Sequence, residues 1–129
     1  MASPRIATIG AGSAGLTLAR HLVKASTFPS VFERDLSANH PPQGVTFNLH
    51  EQSGQEAIRD AGLWDEFRKH ARYDGQESKM LLKTGKILFQ ADGGKKGDEG
   101  MKPEIDRTTL RSLLLGSLNP ELVKWGHAQ

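Results

Sequence analysis

Residues Pro4–Asp35, PRIATIGAGSAGLTLARHLVKASTFPSVFERD, decide how this chain folds. The apolar run Arg5–Ile9 suits a buried parallel strand. Gly10, Gly12 and Gly15 follow it with the spacing G-x-G-x-x-G. In that motif the first glycine makes the tight turn out of the strand. The second lets a pyrophosphate approach the backbone, and the third lets the next helix pack closely on the sheet. The helix beginning here, Leu16–Lys24, directs free N–H groups and the positive end of its dipole toward the turn. Its Leu16, Ala19, Leu22 and Val23 form one apolar stripe for a sheet.

A second strand, Ser30–Phe32, ends at Glu33, eighteen positions beyond Gly15. A carboxylate about 20 residues after the glycine turn is placed to grip a ribose hydroxyl. A glycine turn needed only for tight packing accounts for one or two glycines, but not for an acid at the end of the second strand. Strand, turn, helix, strand and acid together predict a dinucleotide site. Glu33 would repel a 2′-phosphate, which disfavours NADP here and leaves NAD and FAD open.

The 129 residues suit one domain, taken as 1–129, long enough to bury a core. With 17 basic and 15 acidic side chains the net charge is +2, and aromatic residues are few, so no nucleic-acid partner is expected. Lys95, Lys96 and Lys102 read as solvated charges in a glycine-rich loop. The absence of cysteine excludes disulfides, thiolate metal sites and a cysteine nucleophile. No metal site is expected. No stretch reaches the roughly 18 apolar residues of a membrane span. MASPRIATIG lacks the charged and apolar regions of a secretory signal. The expectation is a cytoplasmic protein.

Beyond Asp35 the composition predicts a loop over 36–44 and a short strand over Val45–Leu49. Ser53 with Glu56 makes an S-x-x-E capping box for a helix stopping near Gly62. A second helical stretch covers Leu63–Ala71. Met80–Leu82 and Ile87–Phe89, around Thr84-Gly85-Lys86, predict a β-hairpin. Residues 90–103 read as a mobile polar loop. Asp106 or Thr108 caps a helix over Thr109–Leu118, with Leu110, Leu113, Leu114 and Leu118 inward, and Leu122–Trp125 gives a last strand. His50 reads as a polar surface residue. The element order predicts an α/β fold: a Rossmann-like parallel sheet with helices on both faces and a small antiparallel hairpin insertion.

The run GAGSAGLTLARHL followed by VFERD resembles the start of FAD-dependent aromatic-ring monooxygenases, the para-hydroxybenzoate hydroxylase-like class A group. TFNLHEQSGQEAIRDAGL and PEIDRTTLRSLLLGSL are more specific, and are similar to the tetracycline-inactivating flavin monooxygenases and their relatives. The resemblance runs from Arg5 to Trp125. It implies that Gly10, Gly12 and Gly15, with the amides of Ser13 and Ala14, hold the FAD pyrophosphate. It further implies that Glu33 holds the adenosine ribose, that Arg34 lies beside the adenine, and that Arg107 contacts FAD. An arginine fork suits a phosphate. Arg111, one turn later, reads as a surface or salt-bridging residue.

The chain also departs from this pattern. Asn48 stands where the tetracycline-active members have an aspartate near the flavin, and it can hydrogen-bond there without charge. Pro41-Pro42 replaces an arginine implicated in NADPH contact. The later FAD contacts, the substrate-binding sheet and the C-terminal helix of the family are not in these residues. The resemblance therefore implies an incomplete FAD-binding domain, with the remainder of the enzyme missing. Its absence would leave sheet edges and apolar faces bare. The implied function is the FAD-binding portion of a monooxygenase that hydroxylates a small organic substrate with NAD(P)H and O₂. No catalytic side chain is named. The alternatives are a non-catalytic FAD- or ADP-binding fragment and, less well matched, a piece of an NAD-dependent dehydrogenase.

Overall fold

In the structure, a computed structural model, residues 4–39, 44–74, 77–91 and 101–128 are described. The glycine turn connects β1 (Ala7–Ile9) to α1 (Ser13–Lys24), and β2 (Ser30–Phe32) follows. Then β3 (Thr46–Asn48) leads through one wide π-type turn (Glu51–Gln55) into α2 (Glu56–Asp60) and α3 (Trp64–His70). β4 (Ser78–Leu81) and β5 (Ile87–Ala91) form a hairpin. β6 (Glu104–Asp106) runs straight into α4 (Arg107–Gly116), and a tight turn (Pro120–Leu122) precedes β7 (Val123–Lys124).

Parallel pairing joins β1, β2 and β7 in that spatial order, with Thr8 beside Val31 and Val31 beside Val123. These three residues are buried, whereas Ala7 and Ile9 are exposed, Ile9 to 69%. Side chains alternate across a strand, so one face of the sheet carries the core and the other does not. On the buried face the core gathers Leu16 and Ala19 of α1 with Leu110, Leu114 and Leu118 from α4 and the residues after it. Ile58 and Phe67 close it, and Trp64 stacks on Phe67 at 5.2 Å. Burying each of the larger side chains contributes roughly 1.5–3 kcal/mol. The parallel sheet and hairpin insertion agree with the sequence reading, but the helices cover one face among the described residues.

Helix ends explain a second set of contacts. The last carbonyls of a helix lack partners within it. Three basic side chains of α1 bond carbonyls of α2 and of its C-cap: Arg20 Nε donates to Ala61 O at 3.1 Å, Lys24 Nζ donates to Asp60 O, and His21 Nε2 lies 2.9 Å from Ala57 O. A second Arg20 nitrogen donates to Ser117 O at the end of α4, at 3.2 Å. Arg20 thus ties three helices together.

Several expected boundaries move. α1 starts at Ser13 rather than Leu16, and α4 spans Arg107–Gly116 rather than Thr109–Leu118. The capping box does not form. Gln55, the residue before α2, is itself helical (φ −67, ψ −42), so Ser53 lies inside a continuous turn and caps nothing. Asp106 does precede α4 with extended backbone, but its side chain caps no amide, because its carboxylate is held by Arg72. Of the loop expected over 90–103, Gln90 and Ala91 belong to β5, and Met101 and Pro103 are buried. Lys95, Lys96 and the Pro41-Pro42 pair lie outside the described residues.

Replacing Arg20 by Met keeps the aliphatic stem and removes both carbonyl partners. Loss of these charge-assisted bonds lowers stability by about 1–3 kcal/mol, read as a lower urea midpoint at unchanged slope.

Candidate functional site

The glycine turn leaves β1 with Gly10 at φ +93, a conformation that disfavours any side chain. The Gly10 amide donates to Phe32 O of β2 at 2.7 Å, so the turn is anchored to the neighbouring strand. A Cβ on Gly15 would lie 2.2 Å from Gly10 O, which accounts for the third glycine: helix and turn are in contact there. A Cβ on Gly12 would meet nothing within 4 Å and would enter open space. Ser13 Oγ, at the first residue of α1, is buried and has no hydrogen-bond partner within the protein.

Glu33, at the end of β2, is 8% exposed. A carboxylate this buried requires partners. Its Oε2 accepts the Ala11 amide at 2.6 Å, and its Oε1 accepts the Asp35 amide at 3.1 Å. Arg111 reaches in from α4. One terminal nitrogen lies 3.5 Å from Glu33 Oε2 and 3.1 Å from Asp35 Oδ2, and its Nε donates to Ala11 O at 2.8 Å. Its guanidinium carbon sits 5.5 Å from the Trp125 ring centre, within cation–π range. β7 and the residues after it hold this end of β2: Glu33 N donates to Lys124 O, Gly126 N to Asp35 O and His127 N to Glu33 O, at 2.8–2.9 Å.

Arg107 is placed by the antiparallel β3–β6 pair. Its amide donates to Val45 O at 2.9 Å, extending the ladder in which Phe47 faces Ile105. Arg72 braces this junction from the other side. It exchanges both backbone hydrogen bonds with Glu104 at 2.8 Å, and its guanidinium donates to both carboxylate oxygens of Asp106 at 3.1 Å. That fork holds the Asp106 carboxyl below its ordinary range and raises Arg72. Buried Gln55 adds a further staple, donating to Leu49 O and Met101 O at 2.8 Å each.

These elements enclose a cavity of ≈ 620 Å³ at the carboxyl ends of β1 and β2, where open parallel sheets take their ligands. Of the residues singled out from sequence, Gly10, Gly12, Ser13, Ala14, Gly15, Glu33, Arg34 and Arg107 all line it. Asn48 does not: it is exposed on β3 opposite Glu104, while its neighbour Phe47 lines the cavity. Adjacent strand residues face opposite ways, so the two cannot share it. His50 is exposed at the entry to the π-type turn, in keeping with its surface reading. Sequence reasoning did not pick out Asp35, Phe47, Arg111 or His127 as cavity residues. Arg111 had a usable signal, because it sits four residues after Arg107 and shares its helix face. The salt-bridging reading of Arg111 holds, but the surface reading does not, since its side chain is 19% exposed. Among the described residues there is no cluster of potential metal ligands and no helix long and apolar enough to cross a membrane.

Comparison with known proteins agrees with this geometry. No protein-family model matches the chain. It is 40% identical over 129 aligned positions to monooxygenase penA of Penicillium thymicola and 35% identical over 126 to monooxygenase asqM of Emericella nidulans. Each match covers 94% of this chain. The chain spans only 28% and 27% of the lengths of those two relatives. Among solved structures, a protein of Photorhabdus luminescens assigned as an FAD-containing monooxygenase superposes with a TM-score of 0.72 at 26% identity. It covers 96% of this chain and 31% of its own. The tetracycline destructase Tet(51) shares the fold, with a TM-score of 0.65 at 19% identity over 97% of this chain and 30% of its own. The chain's homologues are monooxygenases, and it aligns with the N-terminal region of FAD-dependent members.

Gly15 and Gly12, one crowded and one open, predict different outcomes. Gly15→Ala forces a backbone shift and lowers stability by roughly 1–3 kcal/mol, whereas Gly12→Ala, facing open space, changes it by less than about 1 kcal/mol. Urea unfolding of the two variants side by side checks this. A pH series tests the Arg72 brace. The Asp106 carboxyl is lowered by Arg72, so its contribution is complete above the ordinary value of 3.8 and is lost as pH falls through the lowered value. Arg72→Met should therefore lower stability slightly at neutral pH, the pair being exposed, and flatten the fall in stability as pH drops from 3.8 through the lowered value.

Proposed function

We propose that this chain is the FAD-binding N-terminal portion of a flavin-dependent monooxygenase that hydroxylates a small organic substrate with NAD(P)H as reductant. One observation carries the reading: the glycine turn, buried Glu33 and Arg107, far apart in sequence, line one cavity at the carboxyl ends of the parallel strands. The FAD-containing character of the similar structures supports it.

The residues present fit a dinucleotide. Gly12 leaves the space that any side chain would fill. The first turn of α1 carries no acidic residue, and its amide end suits an anion. The buried Ser13 Oγ lacks an internal partner, so it is available to a phosphate oxygen. Arg107 supplies a planar charged fork at the opposite wall. Glu33 has given one lone pair on each oxygen to a backbone amide, and carboxylates have about four acceptor sites. Capacity for a ribose hydroxyl remains.

In this reading Gly10, Gly12 and Gly15, with Ser13 and Ala14, receive the pyrophosphate. Glu33 binds the adenosine ribose, Arg34 lies beside the adenine, and Arg107 neutralises phosphate charge. When bound, the flavin supplies the redox chemistry between NAD(P)H, O₂ and the substrate, and the protein supplies orientation and shelter. Phe47 and Leu115 bring apolar surface to the cavity, which helps exclude water there. The NAD(P)H contact, the substrate pocket and turnover belong to the longer protein in this reading.

The test is the visible absorption spectrum of the purified chain after incubation with excess FAD and desalting. Retained flavin bands support the proposal. A colourless protein with a folded circular-dichroism spectrum overturns FAD binding by this chain. Gly12→Val, which fills the open space at the turn, should abolish retention without unfolding the chain, and Arg107→Met should weaken it by roughly tenfold or more, the scale of one lost charge-assisted bond.

A further inference from the structure

We propose that Arg111 is a positioning residue that sets the glycine turn in its ligand-receiving shape before any ligand arrives. The geometry of the two peptide units flanking Ala11 carries this. The Ala11 amide is held by Glu33 Oε2 at 2.6 Å, and the Ala11 carbonyl is held by Arg111 Nε at 2.8 Å. A trans peptide is planar, with its N–H and C=O pointing opposite ways. Fixing the Ala11 amide therefore fixes the Gly10 carbonyl, the atom that Gly15 must approach so closely that no Cβ fits. Fixing the Ala11 carbonyl likewise fixes the direction of the Gly12 amide, at the glycine that faces open space. Gly10 and Gly12 have the softest backbones in the turn; outside Ala11 it is held at its two ends, by Gly10 N on Phe32 O and by Leu16 N on Gly12 O.

Arg111 is built for this role. Its side chain is 19% exposed, and Asp35 and Glu33 beside it are 19% and 10% exposed. The guanidinium meets a carbonyl, two carboxylates and the Trp125 ring, so its orientation is set by four groups on three segments of chain. A lysine has one compact charge and cannot serve those acceptors in a fixed plane. Neutralising two neighbouring carboxylates is the competing explanation, and it would not need the bond from Nε to Ala11 O.

Only the link to FAD rests on the function proposed above; the clamp itself does not. The experiment therefore has two readouts on the whole chain: the turn by NMR, as amide hydrogen exchange at Ala11 and the amide chemical shift of Gly12, and FAD affinity by fluorescence titration. Arg111→Met should speed exchange at Ala11 by roughly tenfold or more and shift the Gly12 amide resonance while Phe67 in α3 keeps its protection, and should weaken FAD binding by a similar factor. Arg111→Lys should recover part of each. Arg111→Met combined with Asp35→Asn removes the excess negative charge but not the need at Ala11 O, and should not recover either. Unchanged exchange in Arg111→Met, or full recovery in the double variant, overturns the proposal. If Arg111→Met does not fold, Arg111→Lys decides: faster exchange at Ala11 with Phe67 unchanged supports the clamp, and wild-type exchange refutes it. A wild-type chain that binds no FAD removes the flavin reading, and the exchange data then decide the clamp by themselves.

Discussion

The hydrogen bond from the Ala11 amide to the Glu33 carboxylate is the contact on which the rest of the site depends. It joins the turn after β1 to the end of β2, twenty-two residues apart. A charge that is 8% exposed must be compensated locally, or the end of β2 becomes unfavourable to bury. Two backbone amides and Arg111 provide that compensation. Because Arg111 belongs to α4, the same charge recruits the helix that also carries Arg107. One buried carboxylate thus brings the first βαβ unit and the later helix to a common cavity.

Placement of α4 then becomes the limiting problem, and the chain solves it with backbone rather than side-chain caps. β6 enters α4 without a loop, so the β3–β6 ladder and the Arg72 bridge determine where Arg107 stands. Gln55 pins the turn after β3 to the segment before β6 through two carbonyls. Gly54 is confined by Leu49, whose Cδ2 would lie 2.8 Å from any Cβ there. These contacts give structural reasons for the SGQEA and EIDR strings: both secure the platform under the cavity, and only Arg107 of these strings also lines it.

Large apolar side chains remain on the outside. Ile9 and Phe28 are exposed to 69% and 70%, and the hairpin exposes Met80, Leu81, Ile87, Leu88 and Phe89 to 50–60% each. Consecutive strand residues face opposite ways, so the hairpin leaves apolar side chains on both of its faces. The chain spans less than a third of the length of its relatives, and the bare sheet face and hairpin are in keeping with that proportion. Ile9 also lines the cavity, whereas none of the exposed hairpin residues does.

The local pattern determined much on its own. The glycine spacing, the apolar stripe of α1 and the acid after β2 all encode short-range geometry, because turn conformation, helix period and strand ends depend on neighbouring residues. Gly10, Gly12, Gly15 and Glu33 line the cavity for that reason, while Ser13, Ala14, Arg34 and Arg107, singled out by the resemblance, line it too. The misreadings have two causes: a local turn that the capping motif does not reveal, and long-range competition for a side chain or a face. Ser53 fits a capping motif, but a wide turn running into α2 leaves it no free helix end. Asp106 stands at a cap position, but Arg72, thirty-four residues earlier, takes its carboxylate. Asn48 lies next to a cavity residue but on the opposite face of β3, and the facing of a three-residue strand is set by its partner β6. Arg111 carries no local sign of its acceptors, since Ala11 lies one hundred residues away. Sequence alone determined that a glycine turn links the first strand to the first helix and where it starts. Only the tertiary structure decided which charges hold it in shape, because those charges meet only when the sheet and α4 close around a buried carboxylate.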